Sequence, residues 1–288
     1  MSGMRTSRLA CVLAVGLAVV ACKPKKNDPD PGGGDGEGSL AEDGTDAHAA
    51  ESDSEALTST LVGGGGAGGT IGLASSAELS GGDLEGATVG DGAKALYFPR
   101  GCLTVTSNET APGEGTAKYT FAGCTGPNGL LGVQGVVDVT YKATRDRLTL
   151  DLVGTDLVVN KATIDWSAHA EIAASGTSRT MTWKAELAGT TARGRDFTRS
   201  NEKTVAWTIG EPCLGLDGTS QGSVRGRNIR TEITAFRRCR GSCPDAGGRI
   251  VLTDVDANQR IEIRYDGTNR ATLVGPNGGA TTFALLCR

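Results

Sequence analysis

The chain has 288 residues, 29 Lys and Arg against 33 Asp and Glu, and a formal net charge of -4. Residues 1–56 hold ten of the acids and five of the bases, so the remaining 232 residues carry 23 acids against 24 bases and are nearly neutral. That balance argues against a nucleic-acid surface, and only 12 aromatic residues argue against a transmembrane barrel with aromatic girdles.

The N-terminus is basic (Arg5, Arg8), then apolar from Leu9 to Val20, then small at Ala21. This run is too short for the ~20 residues of a spanning helix. The sequence Val19-Val20-Ala21-Cys22 resembles the lipobox of bacterial lipoprotein signal peptides. The resemblance implies removal of residues 1–21, acyl chains on Cys22, and a membrane anchor. Lys23 rather than aspartate after the cysteine implies the outer membrane.

Residues 22–56 read as the lipidated cysteine and an acidic, disordered tether: between 23 and 56 there are ten acids, three lysines and no aromatic residue. His48 lies in this tract with no ligand partners beside it in sequence. Residues 57–90 read as a Gly/Ala-rich linker with short elements. Gly63 to Gly69 lacks the Gly-Lys-Ser/Thr ending of a phosphate-binding loop.

Residues 91–288 read as one disulfide-stapled, all-β domain. In Thr163 to Ile172 every second residue is apolar, with Ile164, Trp166, Ala168, Ala170 and Ile172 on one face. Met181 to Leu187, Val205 to Ile209, Leu148 to Leu152 and Ile261 to Tyr265 repeat the pattern, which Val153 interrupts. The 33 threonines suit pleated, half-buried surfaces. Turn signals stand at Pro127-Asn128-Gly129, Asp217-Gly218, Asp266-Gly267 and Pro276 to Gly279. One polar face per strand indicates an antiparallel sheet, either extended and curved or an open sandwich or partial barrel.

Six cysteines follow Cys22: Cys102, Cys124, Cys213, Cys239, Cys243 and Cys287. An even number in an exported domain predicts three disulfides among fifteen pairings. An internal echo narrows them: Cys102-Leu103 leads to Phe121 and Cys124, and Cys213-Leu214 leads to Phe236 and Cys239. Each reads as a hairpin closed by a disulfide, leaving Cys243 with Cys287. The spacing of Cys239 and Cys243 suits neither a zinc site nor a CxxC redox pair, so no metal or cofactor is expected.

Asp254 to Asn258 begins like a calcium loop but has Gln259 and Tyr265 where glycine and glutamate are required, so it reads as a hairpin turn. Asp165, Ser167, His169 and Glu171 share a strand face. Neighbours on that face are ~6–7 Å apart, too far for a coupled triad. The densest chemistry is Arg225, Arg227, Arg230, Arg237, Arg238 and Arg240, six guanidiniums in sixteen residues. Arginine binds carboxylate and phosphate bidentately. Such a surface has two readings: a solvated face balanced by Glu232 and neighbouring acids, or a site for an anionic partner, namely lipopolysaccharide phosphates, an acidic glycan, an envelope protein, or the chain's own acidic tract.

Over roughly residues 95–288 the chain resembles outer-membrane lipoproteins of predatory and social Gram-negative bacteria. The likeness lies in Gly101 to Thr106, Phe121 to Pro127, Arg237 to Pro244 and Leu285-Leu286-Cys287, and it implies no activity. The expectation is a lipid-anchored envelope binding or scaffold protein without catalysis. The alternative is a carrier of an apolar ligand such as lipid, with Trp166, Trp183 and Trp207 lining its cavity. A third reading is an envelope hydrolase, with His169 as its base.

Overall fold

The computed structural model describes residues 37–62, 91–126, 131–211, 213–239, 241–285 and 287. Cys22, Arg240 and the glycine run at 63–69 lie outside these residues. Thirteen strands form one sheet in strict sequence order, every neighbouring pair antiparallel, and the sheet stays open rather than closing into a barrel. The first strands are β1 Leu103–Ala111, β2 Glu114–Thr125, β3 Gly132–Ala143, β4 Arg147–Val159 and β5 Ala162–Ser175. The middle of the sheet is β6 Ser178–Thr190, β7 Asp196–Thr208, β8 Cys213–Val224 and β9 Arg227–Cys239. Four short strands finish it: β10 Arg249–Asp254, β11 Gln259–Tyr265, β12 Arg270–Val274 and β13 Ala280–Ala284.

The expected alternation is realised. Along β5, Ala162, Ile164, Trp166, Ala168, Ala170 and Ile172 are buried while the residues between Ala162 and Ala170 face water. Val153 does not break the pattern of β4; it is an apolar residue on the wet face, 53% exposed. The pair Asp217-Gly218, expected as a turn, lies inside β8. It forms a bulge in which Asp217 Oδ1 accepts the backbone N–H of Ala235. Strand length thus won over local turn propensity. The turns at Asp266-Gly267 and Pro276 to Gly279 link strands as expected.

The three disulfides are Cys102–Cys124, Cys213–Cys239 and Cys243–Cys287. The first two staple the hairpins β1–β2 and β8–β9; Cys213 and Cys239 are direct cross-strand partners. The third ties the C-terminus to a small second core of Ile233, Phe236, Ile250, Ile263, Tyr265 and Leu285.

Part of the expected disordered tether is helical. Helix α1, Glu37–Val62, extends 26 residues, about 39 Å, and packs into the main core on one face of the sheet. Its buried positions include Leu40, Asp43, Gly44, Ala47, Ala50, Glu51, Ser54, Leu57, Thr58 and Leu61, a three-and-four stripe, with Asp46 buried beside it. The stripe holds carboxylates and hydroxyls where an amphipathic helix would hold leucines. Composition therefore signals solvation, while the sheet supplies the charges that let the carboxylates be buried and the Ser54 and Thr58 hydroxyls donate to carbonyls of the helix itself.

Close backbone approach fixes the register between β5 and β6. Gly189 has φ +147, and a Cβ there would lie 2.0 Å from the Thr163 carbonyl oxygen. Gly189→Ala should destabilise the fold by about 1–3 kcal/mol, read as a lower denaturation midpoint at constant m-value.

Candidate functional site

The inward face of β7 extends the alternation of Val205 and Trp207 towards the N-terminus, as Phe197, Arg199, Asn201 and Lys203. Three polar residues therefore point into the space that α1 occupies. Arg199 is 1% exposed and engages all three guanidinium nitrogens: Nε donates to Glu51 Oε1 at 2.5 Å and Nη1 to the Ile229 carbonyl at 2.7 Å. Its Nη2 donates to Ser220 on β8 and Thr231 on β9. Lys203 Nζ lies 3.2 Å from the other Glu51 oxygen and 5.8 Å from the ring centre of Trp183.

A second cluster holds the N-terminal half of α1. Asp43, 1% exposed, accepts from Arg195 at 3.0 Å and from Arg225 and Arg227 at 3.2 Å. Arg195 also reaches Glu42 at 2.9 Å, and Arg193 lies 3.3 Å from Asp46. Arg227 is shared with Asp254. At the other end, Asn160 donates to Asp53 at 3.0 Å and Tyr119 to the Leu61 carbonyl.

The six-arginine surface is thus divided. Arg225 and Arg227 turn inward onto the acidic helix, whereas Arg230 pairs with Glu232 and Arg237 with Asp245 on the outside. Arg238 donates to the Ser242 carbonyl. The physical reason is parity: the β8–β9 turn at 225–226 bends the chain to α1, and the bulge at Ala235 shifts the remaining side chains. Arg193, Arg195, Arg199 and Lys203 complete the basic strip. The signal for Arg199 and Lys203 was their phase with Val205 and Trp207.

The candidate hydrolase residues do not come together. Asp165 Oδ1 accepts the backbone N–H of Asp156, and Glu171 pairs with Arg147. His169 pairs at 2.7 Å with Asp151, its register partner on β4, at the edge of an open outer trough of about 650 Å³. Asp254 Oδ1 accepts the N–H groups of Asp256 and Ala257, closing the β10–β11 turn that resembles a calcium loop. Among the described residues no group of three or more His, Cys, Asp or Glu side chains is placed to hold a metal.

Burial sets opposing titrations beneath α1. It pushes the Asp53 carboxyl from 3.8 up to about 7, against the hydrogen bond from Asn160. Burial, reinforced by Lys203, pushes His48 from 6.5 down to about 4. Burial would raise Glu51 from 4.5, but Lys203 and Arg199 outweigh it and hold the acid at about 2. A raised acid stabilises the docked state fully below its unfolded value, so the Asp53 contribution is lost as pH rises through 7. A depressed base does the reverse: the His48 contribution is full above 6.5 and is lost as pH falls through 4. The Glu51 contribution, present above 4.5, is lost only towards pH 2. Amide exchange in α1, corrected for its intrinsic pH dependence, should therefore quicken from pH 6.5 to 8, and Asp53→Asn should flatten that rise.

Fold and site together define an open, disulfide-stapled antiparallel sheet that grips an acidic helix with a basic strip. Compared with known proteins, the chain matches no family model, no curated protein and no solved structure.

Proposed function

We propose that this chain is a lipid-anchored protein of the cell envelope, held at the outer membrane through Cys22, that works by binding an anionic partner rather than by catalysis. One observation supports this most directly. Arg193, Arg195, Arg199, Lys203, Arg225 and Arg227 gather on one side of the sheet and meet four carboxylates of a single segment, Glu42, Asp43, Asp46 and Glu51. Such a strip suits phosphate and carboxylate groups. The partner class is a phosphate- or carboxylate-bearing envelope glycan, of which lipopolysaccharide is the first to test. Arg230 and Arg237, each more than half exposed, are the outward cations for first contact.

Two measurements test this reading. Cys22→Ala should move the protein from the membrane fraction to the soluble one; retention on membranes would remove the anchor. Arg230→Glu with Arg237→Glu should weaken lipopolysaccharide binding at low salt by about tenfold, and binding should fall with added salt. Unchanged binding would remove this surface from the argument.

A further inference from the structure

The face of the sheet beneath α1 combines two chemistries in register. Lys203 on β7 stands opposite Trp183 on β6, which stands opposite Ala170 on β5 and then Leu150 on β4. In the parallel row, Arg199 is followed by Leu187, Trp166 and Gly154. Each row begins with a buried cation and continues as an apolar wall. From β7 to β4 this wall measures about 14 Å at sheet spacing.

The segment occupying this face meets the cations with a carboxylate and joins the apolar core through Leu40, Ala47, Ala50, Leu57 and Leu61, but leaves polar atoms without hydrogen bonds. Glu51 meets Arg199 and Lys203 with both oxygens. Between those two cations, Asn201 is 4% exposed, yet among the described residues neither its Oδ1 nor its Nδ2 has a hydrogen-bond partner. The indole Nε1 atoms of Trp166 and Trp183 are also buried and unpartnered. Orphaned polar atoms cost free energy in a buried site, and here two indole donors, both ends of the Asn201 amide and one oxygen of Glu51 lack hydrogen bonds on the face that carries two buried cations, which marks a place built for a polar group better fitted than this glutamate. Meanwhile α1 contributes nothing to the strand ladder: every strand pairs only with its sequence neighbours. Lifting the helix would break no sheet hydrogen bond.

We propose that this face is a binding site for a single-chain anionic amphiphile, its carboxylate or phosphate head on Arg199, Asn201 and Lys203 and its tail across Trp166 and Trp183, and that α1 is the segment it displaces. The proposal rests on the reading of the chain as an anion-binding protein and gives that activity a location and a ligand class. The head replaces Glu51 as the acceptor for Arg199 and Lys203. Its remaining oxygens take the Asn201 amide and an indole N–H. The tail takes the apolar wall of the main core that α1 now covers.

The test uses the whole chain carrying Cys22→Ala, to keep acyl groups off it. The probes are hexadecyl phosphate and hexadecanoate, with hexadecanol and inorganic phosphate as controls for tail and head alone. Tryptophan emission reports the wall, and amide exchange across residues 37–62 reports α1. Either amphiphile should shift the emission and speed α1 exchange at least tenfold at saturation, and neither control should. The arm that responds distinguishes a phosphorylated lipid from a fatty acid. Asp43→Asn, which loosens α1 without touching the head site, should tighten binding several-fold; Lys203→Met should weaken it at least tenfold. Unchanged α1 exchange at saturation would overturn the site, as would an equal response to hexadecanol or an Asp43→Asn variant that binds no better. Lipopolysaccharide capture through Arg230 and Arg237 with α1 unmoved would overturn this inference alone and leave the anionic-partner reading standing.

Discussion

Glu51→Gln should cost about 3–5 kcal/mol, the largest effect of any single side-chain change at the site. The loss comes from what remains. Arg199 and Lys203 are almost wholly buried, and both find their countercharge in this carboxylate. Glutamine keeps the size and removes the charge, stranding two cations in a low-dielectric interior. The expected signature is a lower denaturant midpoint with α1 amides exchanging near their intrinsic rates. Replacing all three groups together separates charge from packing. Glu51→Leu with Arg199→Met and Lys203→Met should recover most of the loss, because apolar substitutes of similar volume carry no desolvation penalty. A triple variant as unstable as Glu51→Gln would show that shape, not charge, holds the helix.

The second large effect is expected at the C-terminal staple. Cys243→Ser with Cys287→Ser opens a link across 44 residues of sequence, worth about 4 kcal/mol on the chain-entropy view. The loss should concentrate in β11 to β13, where the second core rests on few side chains and on the edge-to-face contact of Phe236 with Tyr265 at 5.4 Å. Tyr265 supplies the readout. Burial pushes its phenol well above the ordinary 10, so in the variant it should titrate nearer that value. A phenol still held high would place the stability of this core in its packing rather than its crosslink.

The strands were legible because burial and apolarity coincide along them. In β5, and in β6 from Met181 to Leu187, nearly every inward residue is apolar and nearly every outward one polar, so a period of two appears in the sequence itself. The disulfides were legible through the repeated placement of Phe121 and Phe236 three residues before a cysteine, an echo that the hairpins β1–β2 and β8–β9 explain. Helix α1 was hidden because its buried stripe includes Asp43, Glu51, Ser54 and Thr58. Ser54 and Thr58 are satisfied by carbonyls of their own helix, but nothing local to residues 37–62 makes Asp43 and Glu51 safe to bury. The partners of those two carboxylates include Arg199, Lys203, Arg225 and Arg227, and only the completed sheet brings these beneath the helix. The division of the arginine cluster was hidden in part for a related reason: Arg227 and Arg230 take opposite faces by alternation, but the bulge opposite Asp217-Gly218 changes the face that Arg237 and Arg238 take.

The long reach of α1 to its partners has a consequence in time. Glu51 and Arg199 are 148 residues apart, and Asp43 and Arg225 are 182 apart, whereas each strand waits only for the next hairpin. A chain made from its N-terminus at about 5–20 residues per second leaves Glu51 without Arg199 for roughly 7–30 s. During that interval the hairpins close one after another by local contacts, which form fast, and the helical segment waits for β7 to β9. A leucine-rich stripe exposed for so long would invite association with other unfinished chains. The carboxylates keep the segment dissolved until its receptor exists, so the same charges guard the nascent chain first and secure the finished one later.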